Sequence, residues 1–466
     1  MSTLLQALQK GQTKTRTENG AKTFSTSLDA NLDLFFMAGA FRNRSSNEVI
    51  ALIGKAYAEN PTTALQILAY ARDCRGGMGE RRFFREGIKH LASIGADFNV
   101  SLIPVVGRWD DLFALLDTSK RNEVLDLITQ TLVSDGEEKN LLAKWIPRKG
   151  PINKVLRDHI GFSQKQFRHM IVELTKVVET QMCNKEWGAI KYSAVPSVAN
   201  VKYNTAFLRN DETRRRDFLG KAVKGEVKIN SSVAFPHDVL YRTGVRGDWQ
   251  TATAMWNQLP NYLEGSDVRF LPMCDVSGSM SGTPMEISIS LGMYLSERNI
   301  SVFKDAFLTF SETPSLQYLR GDLRSRYEQL RRANWGMNTN LTAAFDLILG
   351  TAMQNKVSAD NMPTHLLIIS DMEFDHCTDL SGRSKTAFKM VKDRYKQAGY
   401  EMPNIVFWNV NSRSNNVPVR FNADGVGLVS GASPAVIKAV LGGEINPIAI
   451  LNRAIDQDKY REFAKA

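Results

Sequence analysis

The hydrophobic period changes once along this chain, near residue 265, and that change limits the available folds more than any other feature. Before Glu264, apolar residues recur at spacings of three and four, as in Val49, Leu52, Ile53 and Tyr57, or Leu65, Ile67, Leu68 and Ala71. That spacing marks helices with one buried stripe. The pattern predicts helices over 46–57, 61–72, 80–94, 109–116, 120–134, 163–179 and 203–219, with nothing of period two between them. Thr62 and Thr63 after Pro61, and Ser163, are the candidate N-caps, while Gly76, Gly77 and Gly79 punctuate a turn. Successive helices of this length indicate an α-solenoid whose repeat is degenerate.

After Glu264, short apolar strands alternate with helices. Strands are expected over 268–275, 301–310, 365–371, 404–410 and 426–430, and helices over 283–298, 323–332, 339–354, 384–397 and 447–464. Alternation of this kind builds a doubly wound α/β domain with a mainly parallel sheet, whose ligand site lies at the carboxyl ends of the strands. A chain of 466 residues exceeds one hydrophobic core, so two domains are expected, an all-α module over 1–265 and an α/β module over 266–466. The longest strongly apolar run, 34–41, is far shorter than the roughly 20 residues of a membrane span, and no signal peptide is evident. Cys74, Cys183, Cys274 and Cys377 lie far apart without a C-x-x-C pair, so a reducing, cytoplasmic setting is expected.

Three segments bring oxygen-bearing side chains to those strand tips: Asp275-Val276-Ser277-Gly278-Ser279, Asn338-Thr339-Asn340, and Ser370-Asp371. Hard divalent cations take oxygen ligands, so this order of segments points to a cation site. Cys274 reads as a small buried strand residue, since thiolates suit softer metals. Enzyme readings fail on the same residues. Gly278 to Gly282 places Met280 where a serine hydrolase needs its nucleophile, and Asp375-His376-Cys377 has no second group to complete a zinc site. A Walker A motif and a dinucleotide fingerprint are both missing from the sequence, so nucleotide hydrolysis is not expected, and a nuclease using a metal at Asp275 would need more carboxylates than these segments offer; no enzymatic activity is expected.

With these motifs in order, residues 266–445 resemble a von Willebrand factor A domain carrying a metal-ion-dependent adhesion site. The resemblance implies that Ser277, Ser279 and Thr339 coordinate Mg²⁺ or another divalent cation, with Asp275 and Asp371 binding directly or through water. It also implies a protein partner that brings an acidic oxygen to the cation.

The net charge of +10 is unevenly placed. Residues 1–265 hold 37 Lys and Arg against 28 Asp and Glu, and within them 139–228 carries 19 basic against 8 acidic side chains. Such local excess, interleaved with Trp145, Phe162, Phe167, Trp187, Tyr192, Tyr203 and Phe207, suits a nucleic acid, through phosphate neutralisation and stacking on unpaired bases. Pro147 bars a regular helix and leaves Lys144, Arg148 and Lys149 exposed on a loop, with Trp145 turned to the core. Arg214, Arg215 and Arg216 fan around a helix, so one or two of them at most extend the track. Gly107 to Leu112 reads as a packed helix entry.

The helical part carries a second likeness. Arg75-Gly76-Gly77-Met78-Gly79-Glu80-Arg81, Gly107-Arg108-Trp109-Asp110-Asp111-Leu112, Lys144-Trp145-Ile146-Pro147-Arg148 and Val195-Pro196-Ser197 resemble the TROVE module of the Ro autoantigen family, which joins a helical-repeat part to a von Willebrand A domain. The resemblance implies a ring or horseshoe of HEAT-like helices that takes single-stranded RNA ends in a basic hole and structured small RNA outside it. By position, Lys154, Arg157, Lys165 and Arg168 face RNA, and Gln164 stands where the family pattern has a His. The expected function is an RNA-binding scaffold that engages a protein through a cation, with no membrane partner. The alternative is a metal-dependent assembly or adhesion module whose basic surface is incidental.

Overall fold

The computed structural model describes residues 13–309, 313–333, 341–374 and 384–465. Thr339 with its neighbours Asn338 and Asn340, and Asp375, His376 and Cys377, lie outside the described residues. The chain folds as a helical N-terminal half and an α/β C-terminal half. The sheet of the second half has six strands, β3 (Phe270–Cys274), β4 (Ala306–Thr309), β5 (Leu316–Tyr318), β6 (His365–Ser370), β7 (Asn404–Asn409) and β8 (Val426–Ser430). They lie in the order β5-β4-β3-β6-β7-β8, all neighbours parallel except β4 and β5. Every side chain of β3, β4, β6 and β8 is buried, the signature of a sheet covered on both faces. The antiparallel edge strand β5 was not expected from the sequence, because Leu316-Gln317-Tyr318 is too short a run to mark a strand and its outer residues are exposed rather than buried.

The order reverses between β3 and β6. From β3 the chain turns to β4 on one side, and β6 begins the run on the other, so the tips of these two strands flank the crevice of the sheet. The register pairs Cys274 with Ile369, which puts Asp275 and Asp371 just beyond the ends of neighbouring strands. Cys274 is fully buried as expected, and its Sγ abuts Gly292 of the helix Thr283–Arg298 so closely that a Cβ there would lie 2.2 Å away.

Most of the helices expected in the first half form, but the one expected over 163–179 divides into Gln164–Leu174 and Val178–Cys183. Ser46–Glu59, Pro61–Arg72, Arg81–Ser93, Arg121–Val133 and Gln164–Leu174 are α-helices, and Trp109–Leu115 is a 3₁₀ segment. Ser163 caps its helix in a capping box with Gln166. At the earlier site the cap is Asn60, whose side chain accepts from Thr63 N at 3.1 Å with Pro61 at the first helical position, so neither Thr62 nor Thr63 serves. The single helix expected over 203–219 is two, Ser197–Asn210 and Glu212–Val223, broken at Asp211. The helix expected over 447–464 also divides, into Pro447–Ile455 and Asp458–Phe463. Gly107 to Leu112 is packing, as read: the fully buried Asp111 takes Arg72 Nε at 2.7 Å, Arg85 Nε at 2.6 Å and Arg108 N at 2.9 Å.

Element types change near residue 266, yet the packing crosses that point in both directions. A two-stranded ribbon, β1 (Lys14–Arg16) and β2 (Lys22–Phe24), lies against the α/β half, where Phe24 bridges Val417. The next helix, Ala30–Ala38, is buried against β8: Gly39 N donates to Ser430 Oγ at 3.1 Å and Ser430 Oγ donates to Phe35 O at 3.0 Å. In the other direction, Asp458–Phe463 packs on Pro61–Arg72, with Lys459 Nζ and Tyr460 Oη at 2.5 and 2.7 Å from the buried Asp73 carboxylate. Phe463 packs between Phe84 and Phe98. A third junction joins the helix Trp249–Asn257 to Thr283–Arg298, through Trp256 Nε1 donating to Glu297 at 2.8 Å and Arg298 lying over the Trp256 ring. One contiguous core therefore runs through both halves.

Gly39 and Gly431 set how closely the first helix approaches the sheet. A Cβ on Gly39 would sit 2.5 Å from the Gly431 Cα, and that neighbour is backbone, which cannot swing aside. Gly39→Ala is expected to destabilise the protein by about 2–3 kcal/mol, visible as a lower thermal midpoint with the ribbon and helix loosened together. An unchanged midpoint would show that this approach is not tight.

Candidate functional site

Asp275 and Asp371 are both almost wholly buried, at the tips of neighbouring strands on either side of the sheet's switch point. Asp275 Oδ1 accepts from Ser277 N at 2.8 Å, and Oδ2 accepts from Ser370 Oγ at 2.8 Å. Burial, and next the neighbouring Asp371 charge, push the Asp275 carboxyl up to about 6, against the hydrogen bonds from Ser277 and Ser370. Burial also raises Asp371, against the Ser279 hydroxyl, the Glu373 N–H and the Arg413 charge. Met372, at φ 65°, turns the chain back so that Glu373 N reaches Asp371 Oδ1 at 3.2 Å. Asp371 Oδ2 accepts no hydrogen bond although it is buried, and Arg413 Nε stands 3.5 Å from it.

Ser277 Oγ and Ser279 Oγ are 3.0 Å apart and half-exposed beside this pair. Two repelling carboxylates, an unsatisfied carboxylate oxygen and two hydroxyls make a donor set suited to a hard divalent cation, which would remove the repulsion. Among the described residues, no group of three or more His, Cys, Asp or Glu side chains is placed to hold a metal, so such a cation depends on the serine oxygens. The sequence-expected residues Asp275, Ser277, Ser279 and Asp371 are thus brought together, and Thr339 lies outside the described residues. Ser370 and Arg413 complete the surroundings. Arg413 follows β7 in a loop without a motif, so only the strand order could have drawn attention to it.

The basic residues divide into two groups. Lys149, Lys154, Lys165 and Arg168 are exposed and carry no ion pair among the described residues. Lys154 on the helix Pro151–Ile160, and Lys165 and Arg168 three apart on Gln164–Leu174, present charge to solvent from consecutive helices. The others have local partners. Lys144 sits in the last turn of Glu138–Trp145, not on a loop, and pairs with Glu179 at 2.9 Å. Arg148 donates to Thr175 Oγ1 at 2.8 Å, and Arg157 lies 3.4 Å from Asp158.

Lys144 also lines a groove of about 660 Å³ with Lys176 and Lys191, between walls that include Leu141, Val172 and Val195. An adjoining hollow of about 430 Å³ adds Arg148 and Cys183. Lys176 and Lys191 were within the basic segment, but no periodicity singled them out from its other cations.

Two expectations for this segment need correction. The aromatic residues are not a stacking surface: Phe167, Tyr192 and Phe207 are buried, and Trp145, Phe162, Trp187 and Tyr203 are half-buried. Tyr192 and Phe207 instead join Ile190, Val195 and Ala199 in a small core of their own, with Met182, Trp187, Tyr203 and Phe218 packed against it. The three consecutive arginines do not extend a track either. Arg215 is fully buried over the Tyr192, Phe207 and Phe218 rings, Arg214 donates to the carbonyls of Trp187 and Ile190, and Arg216 pairs with Asp248 at 2.6 Å.

Two family models match the chain, both described as domains of unknown function: DUF2828 over residues 17–94 and 120–262, and DUF7788 over residues 270–462. The gap between them falls where the helices give way to β3. The chain is also similar to an uncharacterized protein of Acanthamoeba polyphaga mimivirus, with 29% identity covering 94% of this chain and 87% of that one. No helix among the described residues is long and apolar enough to cross a membrane.

Mg²⁺ is expected to raise the thermal midpoint of the wild-type chain, since a ligand at about 100 times its Kd contributes about 2.7 kcal/mol. Asp275→Asn and Asp371→Asn should each remove most of that rise. Scanning calorimetry with and without Mg²⁺ checks this, and an equal rise in all three proteins would place the cation elsewhere.

Proposed function

We propose that this chain is an RNA-binding scaffold of the Ro type, non-enzymatic, whose helical half holds RNA and whose α/β half engages a protein through a divalent cation. The observation that carries the RNA part is the uncompensated charge of Lys149, Lys154, Lys165 and Arg168, four exposed cations on adjoining elements with no carboxylate answering them among the described residues. Backbone phosphates of a nucleic acid are anions that would answer these cations. The nearby groove adds Lys176 and Lys191, with Lys144 paired to Glu179, around apolar walls, and so extends the basic surface that a phosphate backbone would follow.

The TROVE-like, HEAT-repeat reading of the helical half is supported by how its ends are held. Ala30–Ala38 packs on β8 and Trp249–Asn257 packs against Thr283–Arg298, so the helices leave the α/β half and return to it, as closure of a ring requires. The von Willebrand A reading is supported by the strand order, its antiparallel edge and the buried acidic pair at the switch point. In that reading Asp275, Ser277, Ser279 and Asp371 hold Mg²⁺ or a similar ion, with Thr339 as a further ligand. The cation supplies a Lewis-acidic position for an acidic oxygen of the partner. The side chains of this site orient and neutralise the ion; Ser370 fixes the Asp275 carboxylate by its hydrogen bond.

A second reading, a metal-dependent assembly module with an incidental basic face, draws support from the local pairing of Lys144, Arg214 and Arg216. Changing Lys149, Lys154, Lys165 and Arg168 together to Glu separates the two. The wild type should bind single-stranded RNA with a log–log salt slope of about −3, for four neutralised phosphates, and the variant should lose that binding while keeping its fold by circular dichroism. Equal affinity of the two proteins would favour the assembly module.

A further inference from the structure

The N-terminal ribbon reaches the cation site from the other end of the chain. Thr17 Oγ1 donates to Phe374 O at 2.6 Å, Glu18 N donates to Glu373 Oε2 at 2.7 Å, and Asn19 Nδ2 donates to Glu373 O at 2.7 Å. Glu373, two residues past Asp371, is itself buried and held by Asn416 Nδ2 and Ser414 Oγ from the loop after β7. The same loop carries Arg413. Its backbone is anchored to the helical half, where Arg44 donates to Arg413 O and to Asn415 Oδ1.

These anchors place one ion pair over the acidic pocket. Arg413 Nη2 lies 2.8 Å from Glu18 Oε2, while its Nε faces the unsatisfied Asp371 Oδ2 at 3.5 Å. Asp371 is buried, whereas the Arg413 and Glu18 side chains are 35% and 48% exposed, so the pair forms the solvent side of the site. Glu18 is thus a carboxylate of this chain held next to where an acidic partner must arrive. Its backbone is fixed by Glu373, but its side chain is held chiefly by Arg413, an exposed pair of modest strength that a competing carboxylate can replace.

We propose that Glu18 is a built-in competitor for the acidic ligand of the α/β half: it occupies Arg413 at rest, and the partner's carboxylate displaces it, meeting the cation and the Arg413 guanidinium together. The inference rests on the cation-site reading above and adds the chain's own regulation of that site. It makes Arg413 a recognition residue, one that selects a carboxylate over a neutral oxygen ligand, and it makes the ribbon a strap whose Glu18 tunes affinity.

The test uses the full chain, Mg²⁺ and a synthetic peptide of six aspartates, titrated calorimetrically with Mg²⁺ and again with EDTA, so that attraction to the basic helical half is subtracted. In the Mg²⁺-dependent part, Glu18→Gln should bind the peptide more tightly than wild type by roughly two- to fivefold, and Arg413→Gln should bind it more weakly. Both side chains are partly exposed, so both variants should fold, which their thermal midpoints check. Unchanged or weaker binding by Glu18→Gln overturns the competitor role. Mg²⁺ binding without any Mg²⁺-dependent peptide binding in the three proteins also overturns it, while leaving the cation site intact. No heat or thermal shift from Mg²⁺ alone overturns the cation site itself, and the inference with it.

Discussion

The close approach of Gly39 to Gly431 is the contact on which the rest of this architecture depends. It lets the buried helix Ala30–Ala38 lie against β8, an edge strand of a parallel sheet that needs cover. The C-terminal helix Asp458–Phe463 answers it by packing on Pro61–Arg72. Burial pushes the Asp73 carboxyl up, but Lys459, the Arg75 N–H and Tyr460 outweigh that and hold it below the usual range, so this junction carries a satisfied charge. The two halves are therefore interlocked by their chain ends, and the linear order of the two matched segments along the sequence understates how much core they share.

The interlock has a consequence for both candidate sites. The ribbon that precedes Ala30–Ala38 reaches the strand tips, where Glu18 and Arg413 meet beside Asp371. The middle of the helical half, away from the junctions, is left with exposed cations that the acidic side chains near them do not neutralise. Burial and charge thus work in opposite senses at the two places. At the sheet, two carboxylates are forced together without enough donors, while on the helices several cations stand in water without acceptors. Each arrangement asks for a ligand of the opposite sign.

Much of this was legible in the sequence because it depends on short-range rules. Period and capping place most helices within a few residues, and a strand followed by Asp275-Val276-Ser277-Gly278-Ser279 fixes one tip of the site. The ribbon Lys14–Phe24 was not legible, since its three-residue strands have no alternating apolar face and owe their place to Phe24 and Glu373 contacts made hundreds of residues away. Nor was the fate of the aromatic residues and Arg215. Composition showed rings beside cations, which fits stacking on bases, but the same pairs satisfy a buried arginine, and only packing decides between them. Lys144 shows the same limit for charge: its pairing with Glu179 joins residues from two helices that no spacing relates.

The central claim is a division of labour, RNA on the helices and cation at the sheet, within one interlocked body. Hydrogen–deuterium exchange of the full chain, measured with single-stranded RNA and separately with Mg²⁺, tests it most directly. RNA should protect backbone amides between residues 138 and 196, and Mg²⁺ should protect those around Asp275–Ser279 and Ser370–Phe374, each leaving the other region unchanged. Protection of the sheet tips by RNA in the absence of the cation, with the helical segment unaffected, would contradict the account.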